Sequence, residues 1–216
     1  MTQLNLDLLK RLQIQRSSLV KVNDYLQKPK ILLAVTVLQM NQKLRAGGVL
    51  YDLETRRQLD SLFGNLSPVS SPYISGFLTL RNKIPLLNII SNFHKFDLLM
   101  VEGAGRQHPR RYGLACDLGV DLDIPTIGIT QKSLYGEIDF SQSLDKGGSN
   151  FHLYPVYDMN DLIAYFIKRP KKKKGLFLSI GHKISLETAV DITLPLLEHK
   201  LPEPLYLVKM LLKNAN

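Results

Sequence analysis

The chain has 216 residues, 44% of them apolar, and 28 lysines and arginines against 19 aspartates and glutamates, a formal charge of +9. That length buries one sizeable core and predicts a single domain over residues 1–216, and no apolar run of about eighteen residues is present to span a membrane. The charge favours a polyanionic partner such as nucleic acid. The lone cysteine, Cys116, excludes an internal disulfide and a zinc cluster and fits a reducing, cytoplasmic setting.

Leu8, Leu12, Leu19, Val22 and Leu26 recur at helical spacings and predict a packing helix whose basic residues, Lys10, Arg11, Arg16 and Lys21, line a solvated face. No secretory pattern opens the chain. Three strand-like segments follow, near 31–39, 46–53 and 57–64, with short polar connections that predict an antiparallel meander. Residues 72–82 read Pro-Tyr-Ile-Ser-Gly-Phe-Leu-Thr-Leu-Arg-Asn, in which Tyr73 and Ile74 precede a turn at Gly76. A flat amphipathic ring on such a turn can stack against bases. An apolar pattern through Ile84, Leu87, Ile90 and Phe93 predicts a helix with Pro85 near its start.

Leu98 to Val101 form a short continuous apolar run, read as a buried strand that places Glu102 at its C-terminal tip. Gly103 and Gly105 then let the backbone approach a ligand closely, and the segment Gln107-His108-Pro109-Arg110-Arg111 brings fork donors suited to phosphate. Cys116 follows on the apolar rhythm of a helix and reads as a small core residue. Residues 139–150 are polar and rich in Ser and Gly, as in a mobile surface loop. Lys168 to Lys174 hold six cations in seven residues, and Lys171, Lys172, Lys173 and Lys174 are read as phosphate contacts. Ser185 is a plausible N-cap, with Glu187 in the first turn of the helix it opens.

These blocks carry a resemblance. Residues 98–128, the Pro72–Asn82 segment, and Leu178–Ala189 with Lys200–Pro204 are similar to signature regions of the endonuclease V family, which cuts nucleic acid near deaminated bases, inosine above all. The likeness spans about residues 30 to 205 and implies an α/β ribonuclease H-like domain, a mixed sheet with helices on both faces and a site at the C-terminal strand tips. It further implies that Tyr73, Ile74 and Gly76 form the family's wedge, with Ser75 where the family usually has proline, and that His108, Arg110 and Arg111 touch the nucleic acid. His182 falls on the family's metal-site histidine.

The polar centre departs from the family. Thr36 stands where the first strand carries a magnesium-holding aspartate, Asn82 replaces a glutamate, Glu102 replaces an aspartate, Gln131 falls on a lysine, and Ala104 stands where histidine is common. Glu102 is then the one metal ligand of the expected catalytic set Thr36, Asn82, Glu102, Gln131 and His182. With two of three carboxylates neutral, Mg2+ binds weakly or not at all. The resemblance thus implies a nucleic-acid-binding protein that recognises deaminated or distorted strands with little or no cleavage, and the chain is read as a monomer with no membrane partner. An active magnesium-dependent endonuclease V built on Glu102 and His182 is the alternative, and an interaction protein without nucleic-acid affinity a third reading.

Overall fold

The structure, a computed structural model, describes residues 3–24, 28–69, 72–144, 150–170 and 174–215. The run Ile-Leu-Leu-Ala-Val-Thr-Val-Leu makes β1 (Ile31–Met40), whose residues 32–35 are fully buried because both faces are covered. β2 (Lys43–Asp52) and β3 (Arg57–Phe63) complete the expected antiparallel meander, and the two-residue β4 (Ser67–Pro68) pairs with the start of β2. After α2 (Thr79–Ile90) the chain enters β5 (Leu98–Glu102), parallel to β1, then α3 (Leu114–Leu122) and β6 (Thr126–Thr130), parallel to β5. β7 (Glu137–Ile138), β8 (His152–Asp158), β9 (Asp161–Lys168) and β10 (Leu176–His182) extend the sheet, β10 running antiparallel to β6. Among the described residues the sheet order is β3-β2-β1-β5-β6-β10-β9-β8-β7. This is the mixed sheet that the resemblance implies, and its first three strands are the meander that the sequence predicts.

Alternation along the strands sorts the core into two layers. Leu32, Ala34, Leu98 and Met100 face α4 (Leu186–Thr193) and α5 (Glu203–Asn214), while Leu33, Val35, Leu99 and Val101 face α2 and α3. Helices therefore cover both faces. Ser185 caps α4 as expected, its hydroxyl accepting from the Thr188 N–H. Cys116 is fully buried, its thiol pushed up to about 12 by loss of water, which makes it an inert core residue.

Two helix readings change. α1 (Gln3–Ser17) stops where Ser17 turns its hydroxyl back onto the Ile14 carbonyl, so Leu19 and Val22 lie beyond it. Leu8 and Leu12 are 58% and 43% exposed, so this stripe is no packing face; Leu26 lies outside the described residues. What anchors α1 is polar: Arg16 donates to Tyr112 and pairs with Asp117 and Asp121 of α3, which Lys83 of α2 also bridges. Pro85 sits inside α2 rather than near its start, because the helix begins at Thr79; the buried stripe is accordingly Leu86, Ile89 and Ile90, and Ile84 is 69% exposed.

Candidate metal centre and nucleic-acid interface

Parallel pairing of β1 with β5 sets Val35 beside Val101, so the next residues, Thr36 and Glu102, lie side by side at the sheet's end. Alternation turns both toward the α5 face. The Thr36 hydroxyl donates to Glu102 Oε2 at 2.5 Å. The other carboxylate oxygen, Oε1, is held by the ammonium of Lys209 at 2.5 Å. Lys209 follows Leu205 by four residues and precedes Leu212 by three, so the packing of that apolar stripe on β1 and β2 delivers its amine to the strand tip.

This donor set does not fit the Mg2+ that the resemblance implies. A hard dication takes carboxylate oxygens, and here the single carboxylate is already neutralised on one oxygen by an ammonium and hydrogen-bonded on the other. Among the described residues no group of three or more His, Cys, Asp and Glu side chains could hold a metal ion. Asn82 is buried on α2, but its amide oxygen accepts from Arg81 Nε at 3.2 Å, and no hydrogen bond joins it to Glu102 among the described residues. Gln131, beyond the end of β6, is exposed.

His182 is a correction. Glu102 lies opposite Ile129 in β6, whereas His182 lies opposite Thr126, at the other end of that strand. Three residues along β6 and two strand spacings across separate their backbones by about 14 Å. The antiparallel course of β10 carries its C-terminus away from the site. There His182 Nδ1 accepts from the Lys21 N–H and Nε2 faces Asp123 at 3.5 Å; burial holds its pKa below the ordinary value. It ties the loop after α1 to the sheet.

The segment expected to form the wedge makes a turn that exposes Tyr73 over a buried Gly76 and Phe77. Tyr73 is 61% exposed, Ile74 is half-buried, and Gly76 adopts φ +76°, which favours glycine. A Cβ there would also sit 2.8 Å from Arg110 Nη2. The Arg81 guanidinium lies 5.4 Å from the Tyr73 ring centroid and donates to Gln39, linking the wedge to Asn82 through one side chain. An open hollow of about 370 Å³ lies beside it, lined by Gln39, Gln42, Pro72, Tyr73 and Arg81.

The expected phosphate donors behind the wedge are already engaged. Arg110 Nη2 donates to the Gly76 carbonyl at 2.7 Å and Nε to Gln13 at 2.6 Å, and the guanidinium stacks on Phe77. His108 accepts the Arg110 N–H on Nδ1, so Nε2 carries the proton and donates to the same Gly76 oxygen at 3.0 Å. Burial pushes His108 down to about 4, with Arg110 adding to the shift and the Gly76 bond opposing it. These two side chains fix the wedge turn from behind. Arg111 pairs with Asp158 at 2.6 Å and reaches Asp161 at 3.4 Å, joining the post-β5 segment to the β8–β9 turn. Gly105 allows that segment to lie against β10, because a Cβ there would collide with the Ile180 carbonyl oxygen.

Lys174 is exposed, whereas the phosphate reading of Lys171, Lys172 and Lys173 and the mobile-loop reading at 145–149 fall outside the described residues. Sequence reasoning missed Lys209, Arg81 and Gln13. Arg81 and Gln13 gave no signal of their own. Lys209 had a weak one, a cation on the buried flank of an amphipathic C-terminal helix.

Comparison with known proteins now bears on the geometry. Residues 15–209 match the family model described as Endonuclease V. Endonuclease V of Methanopyrus kandleri is 34% identical over 207 residues, covering 95% of this chain and 87% of that protein. The Ignicoccus hospitalis protein of the same name is 36% identical over 197 residues, covering 90% and 87%. Among solved structures, the catalytic domain of human Endonuclease V superposes with a TM-score of 0.85 at 22% identity, covering 98% of this chain and 95% of that one. Ciona intestinalis Endonuclease V, solved in complex with a 24mer DNA containing an inosine followed by a ribo-adenosine, gives 0.80 at 22% identity, covering 98% and 99%. At that identity the structures speak for the fold.

Proposed function

Because the chain belongs to the endonuclease V family, we propose that it binds nucleic acid, recognises deaminated or distorted strands, and cuts them slowly or not at all. The observation that carries this reading is the Lys209 ammonium on Glu102. A cation fixed on the carboxylate leaves no net negative charge to attract a metal, and the neutral Thr36 and Asn82 supply none. Binding is supported separately. The wedge turn keeps its exposed Tyr73 on a carbonyl pinned by Gln13, His108 and Arg110, a rigid mount suited to filling the gap left by an extruded base. The complex of the Ciona protein with inosine-containing DNA points to the same class of ligand.

An electrophoretic assay on inosine-containing and plain strands, in Mg2+ and then Mn2+, tests both halves. Shifted but uncut strands are the expected result, with the inosine strand held more tightly. Turnover of the inosine strand in Mg2+ at a rate typical of enzymes, about 1 per second or faster, would overturn the non-cleaving half. Absence of any shift would overturn the binding half.

A further inference from the structure

We infer that the end of the β8–β9–β10 sheet face, capped by Phe140, is a second contact surface, for single-stranded nucleic acid, separate from the wedge. The inference rests on the nucleic-acid reading above and extends it. The strand register lines up one row of rings across three strands, with Tyr154 opposite Phe166 and Phe166 opposite Phe177. Two residues further along the strands, on the same face, His152 lies opposite Lys168. Phe140 folds over the row edge-on, its centroid 5.1 Å from Tyr154 and 6.3 Å from Phe166, yet 59% of it is exposed. The row beneath is core, whereas Phe140 presents most of a ring to solvent. The Lys168 amine lies 5.4 Å from the Tyr154 centroid, so a cation borders the rings.

Position adds a second argument. Phe177 pairs with Thr130, one residue beyond the Ile129 that pairs with Glu102, so the aromatic row and the strand tip share one end of the sheet. The rings lie on the α3 side, where the segment that pins the wedge also runs. β9 ends there at Lys168. Arg169 is committed to the carbonyls of Leu197 and Glu198, while Lys174 is exposed. An exposed ring beside the Lys168 ammonium matches an unpaired base joined to a phosphate, since the base offers a face to stack and the phosphate a charge to pair. A duplex, whose bases are already stacked, gains nothing from the ring.

Fluorescence anisotropy with labelled oligothymidine and a matched duplex, using the full chain, tests this. Phe140→Ala and Phe140→Leu should each weaken oligothymidine binding by about tenfold or more, the loss of one stacked base, without altering the salt dependence or the duplex affinity. Lys168→Ala should instead flatten the log-log salt slope by about 0.7. Tyr73→Ala should leave the oligothymidine affinity sensitive to Phe140. If the wild-type chain binds the single strand and both Phe140 variants bind it equally well, this surface is refuted and the nucleic-acid reading stands. If the wild-type chain binds neither probe, both readings fall together.

Discussion

Replacing Lys209 by Met keeps the stem that packs beside Leu205 and removes the charge from Glu102. In the pair, the Lys209 side chain is 27% exposed and that of Glu102 is 21%, so it lies between a surface ion pair and a buried one. Surface pairs contribute about 0–1 kcal/mol and loss of one partner of a buried pair costs about 3–5 kcal/mol. Lys209→Met should therefore destabilise the fold by about 1–3 kcal/mol in urea, the carboxylate being left with the Thr36 hydroxyl alone. Adding Glu102→Gln should recover much of that, giving a coupling of about 1–2 kcal/mol in the double-mutant cycle. The same variants report on metal. With a dissociation constant of about 10 mM or weaker, the wild-type chain gains no more than about 0.4 kcal/mol from about 10 mM Mg2+; a Lys209→Met site near 1 mM gains about 1.4 kcal/mol. An additive cycle, or a wild-type chain that Mg2+ stabilises as much as the variant, would refute the assignment of Lys209 as the resident cation.

His108 predicts an acid-side loss of stability. Its ordinary value is 6.5 and burial lowers it to about 4, so the unfolded chain takes up a proton that the folded chain refuses. The contribution is complete above about pH 6.5 and is lost as pH falls toward 4, up to about 3 kcal/mol; urea titrations of wild type and His108→Asn should differ most across that window. Replacing Lys171 to Lys174 by alanine should flatten the salt dependence of duplex binding by close to one log-log unit for each phosphate no longer neutralised, and weaken all sequences alike; unchanged binding returns the run to a solvated surface. Restoring the family residues through Thr36→Asp, Asn82→Glu, Glu102→Asp and Gln131→Lys should not yield Mg2+-dependent cleavage until Lys209→Ala is added, because groups that act as a unit are not additive. Cutting by the fourfold variant with Lys209 in place would show that the amine does not block the site.

The fold was legible because apolar runs and their spacing report burial directly. β1, β5 and the meander could be read from Ile31–Leu38, Leu98–Val101 and the polar links between strands, and parallel pairing then forces Thr36 beside Glu102. The site was legible only as far as residue types carry position. His182 stands in a block similar to the family throughout, yet similarity does not state strand direction, and the antiparallel β10 places it at the far end of β6. Arg110 and Arg111 show the same limit. A guanidinium suited to phosphate is equally suited to a carbonyl or an aspartate, and which it meets depends on segments such as Gly76 and Asp158, distant in sequence.

Lys209 unites these observations. A strand-tip carboxylate needs a counter-charge, which a bound metal can supply from solution or a side chain can supply from within the chain. Here α5 supplies it, and that helix is fixed by Leu205, Val208 and Leu212 for reasons of packing alone. On this reading the scaffold does not depend on metal for its stability, and the neutral Thr36 and Asn82 leave no uncompensated charge behind. The turn that carries Tyr73 has its own support, since Gln13, His108 and Arg110 all donate to the Gly76 carbonyl. Under the proposed function, these separate supports let recognition persist in a chain that sets an internal ion pair on its strand-tip carboxylate.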